Sequence, residues 1–95
     1  MTVYIVSQLT IHDRSKYDEY ESGFTEVFEK YDGQMLSVDE EPMVLAGDWA
    51  ATRSVIIEFP SQKSALTWMS SDEYQAIAKH RNAGSTVNSI LVKGF

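Results

Sequence analysis

Thr52–Phe59 reads TRSVIIEF and is closed by Pro60. The run is short, rich in β-branched residues and bounded by a breaker, which marks a strand rather than a helix. Successive side chains of a strand point to opposite faces. Val55, Ile57 and Phe59 therefore share one face, and Ser54, Ile56 and Glu58 share the other. The first face is apolar from Val55 onward and needs a cover. The second is mixed, with one acid among apolar neighbours.

The rest of the chain supplies the cover. Thr2–Ile11 (TVYIVSQLTI) is a β-rich run with few interruptions and reads as a second buried strand. Asp13 is placed to cap a helix, and Tyr17, Tyr20, Phe24, Val27, Phe28 and Tyr31 follow at helical spacing, with Gly33 as an expected left-handed stop. Gln34–Asp39 and Met43–Ala46 are strand-like pieces separated by Glu40-Glu41-Pro42, and Gly47-Asp48 marks a turn. After Pro60 a short helix runs from near Ser61 through Ala65, Leu66, Trp68 and Met69. Ser70 and Glu73 have capping-box spacing, which restarts a helix with the stripe Tyr74, Ile77, Ala78 and Arg81 and a stop at Gly84. Val87–Lys93 (VNSILVK) is the last strand. The order β-α-β-β-α-β predicts an α+β, ferredoxin-like domain spanning 1–95, with a four-stranded antiparallel sheet and its helices on one face.

The mixed face decides the expected assembly. Assigning Tyr4, Val6, Ile56, Val87 and Leu91 to it gives more apolar surface than a small monomer leaves wet. A second copy of the same sheet is the simplest cover, so a homodimer pairing as a dimeric α/β barrel is expected.

Charge narrows the partners. The chain of 95 residues carries a formal charge of −6, and no cysteine is present. Residues 1–48 hold eleven acids and three bases, whereas residues 49–95 hold three acids and five bases. Such a chain repels phosphate backbones and anionic lipid, so neither nucleic acid nor membrane is an expected partner. An anionic small ligand is expected to contact the second half. Without cysteine, thiolate metal sites and thiol nucleophiles are excluded, and a reducing cytoplasmic setting fits. No apolar run reaches transmembrane length and no signal-peptide pattern precedes residue 20.

Met43-Val44-Leu45-Ala46-Gly47-Asp48-Trp49, Arg53, Val55–Ser61, Ala65, Trp68, Ser71, Glu73-Tyr74-Gln75 and Arg81, with Tyr17 and Tyr20, resemble the domain-of-unknown-function family numbered 1330. The likeness spans essentially the whole chain. Met69 and Asp72 stand where that family usually has an aromatic residue and a proline. The resemblance implies a ferredoxin-like homodimer of the dimeric α/β-barrel superfamily, and it implies no activity.

Among residues able to do chemistry, Glu58 is the only acid on its strand and a candidate general acid or base, or else half of an ion pair. Arg81 closes an apolar stripe, which directs its guanidinium at a specific carboxylate of the protein or of a ligand. His80 is a second catalytic candidate, or an offset to the helix dipole. Trp49, in a loop leading to Arg53, is a pocket candidate, whereas Trp68 reads as core. His12 reads as a surface residue. Glu58, Arg53, Arg81 and Trp49 are expected to converge on one cleft with His80 at its rim. No metal-ligand spacing, phosphate loop, dinucleotide fingerprint or nucleophile motif occurs, so no cofactor is expected.

Three functions are compatible with these residues, and the sequence leaves open whether the protein is an enzyme. One is binding of a small molecule, with an anionic one favoured by the basic second half, in a cleft between sheet and helices. Another is a cofactor-independent monooxygenase or haem-degrading enzyme of the dimeric α/β-barrel type. Haem degraders of that superfamily use an Asn, a Trp and a His, against Gln8, Trp68 and His80 in this chain. The last is a non-catalytic dimeric module that binds another protein.

Overall fold

In the computed structural model, which describes residues 1–95, the chain runs β1 (Val3–Ile11), α1 (Arg14–Phe28), β2 (Gln34–Asp39), β3 (Arg53–Phe59), α2 (Gln62–Met69), α3 (Asp72–Gly84) and β4 (Ser85–Lys93). The four strands form one antiparallel sheet in the order β2-β3-β1-β4. This is the expected ferredoxin-like α+β architecture. One sheet face carries Val3, Ile5 and Leu9 from β1 and Val55, Ile57 and Phe59 from β3, all buried. They pack with Tyr17, Tyr20 and Val27 of α1, Ala65 and Trp68 of α2, and Tyr74 and Ala78 of α3 in a single core. Phe59 is fully enclosed, with the rings of Phe28 and Trp68 at 6.1 and 5.5 Å. Burying one such side chain contributes about 1.5–3 kcal/mol, so the core rests largely on its aromatic residues.

Three local expectations are corrected. α1 ends at Phe28, and the only glycine with positive φ is Gly47, so Gly33 is not a left-handed cap. Gly33 is required for space: a Cβ there would lie 2.6 Å from Phe28 Cζ and 2.7 Å from Phe59 Cζ. The cap of α3 is Ser71, whose Oγ accepts from the Tyr74 amide, whereas Ser70 Oγ donates back to the Leu66 carbonyl of α2. Met43–Ala46 forms no strand. It belongs to an exposed connection between β2 and β3, with Met43 and Leu45 more than four-fifths exposed.

The register of β4 corrects the assignment of faces. Leu91 lies opposite Ile5 and Val87 opposite Leu9, so both point towards the helices and pack against the core. The outer face instead receives Ile90 opposite Val6 and Val92 opposite Tyr4. Its apolar content survives with a different membership: Tyr4, Val6, Ile56, Ile90 and Val92.

Candidate functional site

The core does not close completely. Between the helix-covered face of the sheet and the helices lies a cavity of about 380 Å³. Protein interiors pack densely enough that voids much larger than a water molecule are few, so an opening of this size calls for an explanation. Its floor includes Ile5, Leu9, Val55 and Ile57, and Phe24, Phe28 and Trp68 are among its walls. Tyr17, Tyr20, Glu21 and Phe24 reach it from successive turns of α1. Tyr74 and Arg81 reach it from α3, where a spacing of seven residues places both on one face.

Two polar groupings line this apolar space. In the first, Arg81 Nη1 donates to Tyr74 Oη at 2.8 Å, and the Tyr74 and Tyr20 hydroxyls are 2.9 Å apart. The Arg81 guanidinium lies 5.9 Å from the centroid of each ring. Burial foremost, then the neighbouring Tyr74, pushes the Tyr20 hydroxyl far above its ordinary ionisation range. Burial likewise raises Tyr17, partly offset by the positive charges of Arg53 and Arg81. These phenols stay protonated and can donate hydrogen bonds.

In the second grouping, the Arg53 side chain is only 12% exposed and its guanidinium sits 5.3 Å from the Tyr17 ring centroid. Its Nη1 approaches Glu40 Oε1 at 3.4 Å and Glu21 Oε1 at 3.7 Å. Arg14 Nη1 donates to the same Glu40 oxygen at 2.7 Å. That hydrogen bond, and after it the charges of Arg14 and Arg53, hold the Glu40 carboxyl below its usual range. Three buried polar atoms of the cavity wall have no hydrogen-bond partner: Glu21 Oε1, Arg53 Nε and Trp68 Nε1. Buried polar atoms are usually paired, so each of these is a departure, and Glu21 and Arg53 lie side by side.

The expected convergence of five residues is only partly formed. Arg53 and Arg81 both line the cavity. Glu58 does not. It stands on the outer face, opposite Tyr4 and Gln34, because the strand alternation that turns Arg53 inward with Val55 and Ile57 turns Glu58 outward with Ile56. Trp49 sits 44% exposed in the β2–β3 connection and is not among the lining residues. His80 pairs through Nδ1 with Glu19 Oε2 at 2.9 Å on an exposed surface. Of Gln8, Trp68 and His80, only Trp68 reaches the cavity, since Gln8 opposes Ser54 and Asn88 on the outer face. The residues missing from the expected site are Tyr17, Tyr20, Tyr74 and Glu21. The signal for the three tyrosines was the choice of tyrosine over phenylalanine at core positions, which places hydroxyls where burial demands a partner; Glu21 carried no such signal.

No group of three or more His, Asp or Glu side chains is arranged to hold a metal ion, and no helix is long and apolar enough to cross a membrane.

Known structures share this architecture. A protein of unknown function from Rhodopseudomonas palustris, RPA0582, superposes with a TM-score of 0.84 at 19% identity, covering 99% of this chain and 82% of its own. A dimeric ferredoxin-like protein of unknown function from Thermobifida fusca gives 0.73 at 6% identity, covering 99% and 92%. SnoaB, described as a cofactor-independent oxygenase from Streptomyces nogalater, gives 0.68 at 14% identity, covering 99% and 93%. At these identities the likeness is one of fold. No curated protein sequence matches the chain. The family described as Domain of unknown function (DUF1330) matches residues 2–95, and the chain belongs to that family.

Proposed function

We propose that the protein is a homodimer that binds a small, largely apolar molecule in the cavity between sheet and helices. The observation that carries this reading is the cavity: about 380 Å³, apolar over most of its lining, with two arginines and three tyrosines set into it. A small-molecule site has the same character, an apolar enclosure with a few fixed polar groups. Arg53 and Arg81 are the cations of its lining. Glu58, on the outer face, belongs to the dimer surface rather than to the cavity. The dimer reading rests on Tyr4, Val6, Ile56, Ile90 and Val92, which form an apolar outer face on a domain of 95 residues.

A thermal-shift panel of neutral, anionic and cationic aromatic compounds tests the binding reading. A ligand at a hundred times its Kd stabilises the folded state by about 2.7 kcal/mol. Leu9→Trp, which fills the floor, should abolish the shift. A panel in which no compound raises Tm above the protein alone would contradict the reading.

A second reading has one supporting observation, the Trp68 indole with its unpaired N–H among the aromatic walls. In it the protein is a cofactor-independent oxygenase, as SnoaB is described to be. An activated CH₂ of the substrate would become a carbonyl, with the second oxygen of O₂ leaving as water with the two hydrogens. Oxygen uptake with an electron-rich phenolic substrate, lost in Trp68→Phe, would favour it.

A further inference from the structure

The cavity holds two arginines, and their surroundings differ in a way that assigns them different tasks. Arg53 has two carboxylates within 4 Å, those of Glu21 and Glu40. Its charge is already answered by the protein. Arg81 lines the same cavity and forms no ion pair: its acceptors are the Tyr74 hydroxyl and the amide oxygen of Asn82.

The geometry at Arg81 is specific. Nη1 is fixed at 2.8 Å by Tyr74, which is itself held by Tyr20. The other edge of the guanidinium, Nε with Nη2, points both donors at one atom, Asn82 Oδ1, at 3.3 and 3.2 Å. Those are long contacts to a neutral acceptor, where a guanidinium with a carboxylate forms two parallel bonds of roughly 2.7–2.9 Å. Asn82 is exposed and adjacent in sequence, so its amide can leave without disturbing the fold. Arg81 thus lines an apolar cavity without an ion pair, and its bidentate edge, held by a weak neutral acceptor on the exposed side, has the donors to take a planar anion at the cavity's rim.

We propose that the ligand is an amphipathic carboxylic acid. Its carboxylate takes the Nε–Nη2 edge of Arg81 in place of Asn82 Oδ1, and its apolar body enters the cavity among Phe24, Phe28 and Trp68. Tyr74 is a positioning residue that sets the plane of the guanidinium. The inference rests on the cavity being a binding site and adds the chemical class of what enters it.

The probes are 2-naphthoate and its neutral isostere 2-naphthamide, with affinities measured by calorimetry on the wild-type chain and on variants. A charge-assisted pair in place of a neutral one favours the acid by about tenfold. Asn82→Asp places a competing carboxylate on the same edge and should bring the preference to about one while leaving naphthamide affinity unchanged. Asn82→Ala should retain the preference or raise it. Arg81→Lys keeps the charge but not the fork, and should lose most of the preference. Each variant is first checked for unchanged Tm, and the exposed Asn82 pair keeps the test valid should Arg81→Lys fold poorly. Equal binding of both probes to the wild type, or a preference that survives Asn82→Asp, overturns the inference and leaves the cavity reading intact. A preference lost in Arg53→Gln but kept in Arg81→Lys also overturns it. If neither probe binds, the cavity reading falls and the inference with it.

Discussion

Replacing Tyr74 by Phe removes one oxygen atom and leaves two groups without a partner. The Tyr20 hydroxyl loses its neighbour at 2.9 Å and Arg81 Nη1 loses its acceptor at 2.8 Å. Tyr20 is 7% exposed, so its hydroxyl cannot recover fully by turning to water. Stranding a buried polar group costs about 1–3 kcal/mol, and the partly exposed Arg81 falls at or below the low end of that range because water can replace the bond. A loss of about 2 kcal/mol is therefore expected, which lowers Tm by roughly 10 °C in a domain this small. Tyr17→Phe is the internal control. Tyr17 is buried as a residue, at 1% exposure, but its hydroxyl forms no hydrogen bond to the protein and is less enclosed than that of Tyr20, so its removal should change stability by less than about 0.5 kcal/mol. The double variant Tyr20→Phe/Tyr74→Phe removes both partners of the buried pair and should be more stable than the sum of the single changes predicts. Urea unfolding followed by circular dichroism reads all of these. Equal losses for Tyr74→Phe and Tyr17→Phe would refute the reasoning, because burial alone and not pairing would then set the cost.

Other perturbations probe separate parts of the structure. Gly84→Ala should destabilise by about 1–3 kcal/mol in thermal unfolding, because its Cβ would lie 2.7 Å from Asp13 O and Tyr17 N, both backbone atoms with little room to move. Ile56→Asp, on the outer face, should convert the proposed dimer to monomer in sedimentation velocity, because it would bury an unpaired charge against the partner. A wild-type chain that sediments as a monomer at micromolar concentration would contradict that assembly. The Glu40 carboxyl, held below its ordinary value of 4.5 chiefly by Arg14, contributes stability above that pH and loses it as pH falls further, so Glu40→Gln should flatten the acid limb of the Tm–pH curve. At the other extreme, Tyr20 is raised above its ordinary value of 10.0, so stability is complete below that pH and declines above it as the unfolded chain ionises.

The order of strands and helices was legible because hydrophobic period and breakers agree almost everywhere. In TRSVIIEF, Ser54 and Glu58 mark one face as the more polar although Ile56 lies on it, and the faces are those observed. VNSILVK does not alternate cleanly: Val87 and Leu91 share one parity, Ile90 and Val92 the other, and both sets are apolar. Only pairing with β1 chooses between them, and that register is a tertiary fact. Met43–Ala46 has strand-like composition, yet no partner edge pairs with it, so propensity alone did not make a strand. The candidate site shows a similar division. Arg53 and Arg81 were legible as directed cations in the basic half of the chain. Grouping Glu58 with Arg53 followed complementary charge, but residues an odd number of positions apart on one strand face opposite ways. The tyrosines were read as apolar stripe residues, and only three-dimensional packing brings Tyr20 of α1 against Tyr74 of α3, 54 positions along the chain.

The central claim, that the cavity is a binding site, is tested most directly by titrating ¹⁵N-labelled protein with 2-naphthamide and following amide resonances. The neutral probe makes the result independent of any charged anchor. The structure predicts saturable shifts at Leu9, Tyr17, Phe24, Val55 and Trp68, which line the cavity, and little change at Val6, Glu58 and Ile90 on the outer face. Shifts confined to the outer face, or no shift at millimolar probe, would contradict it.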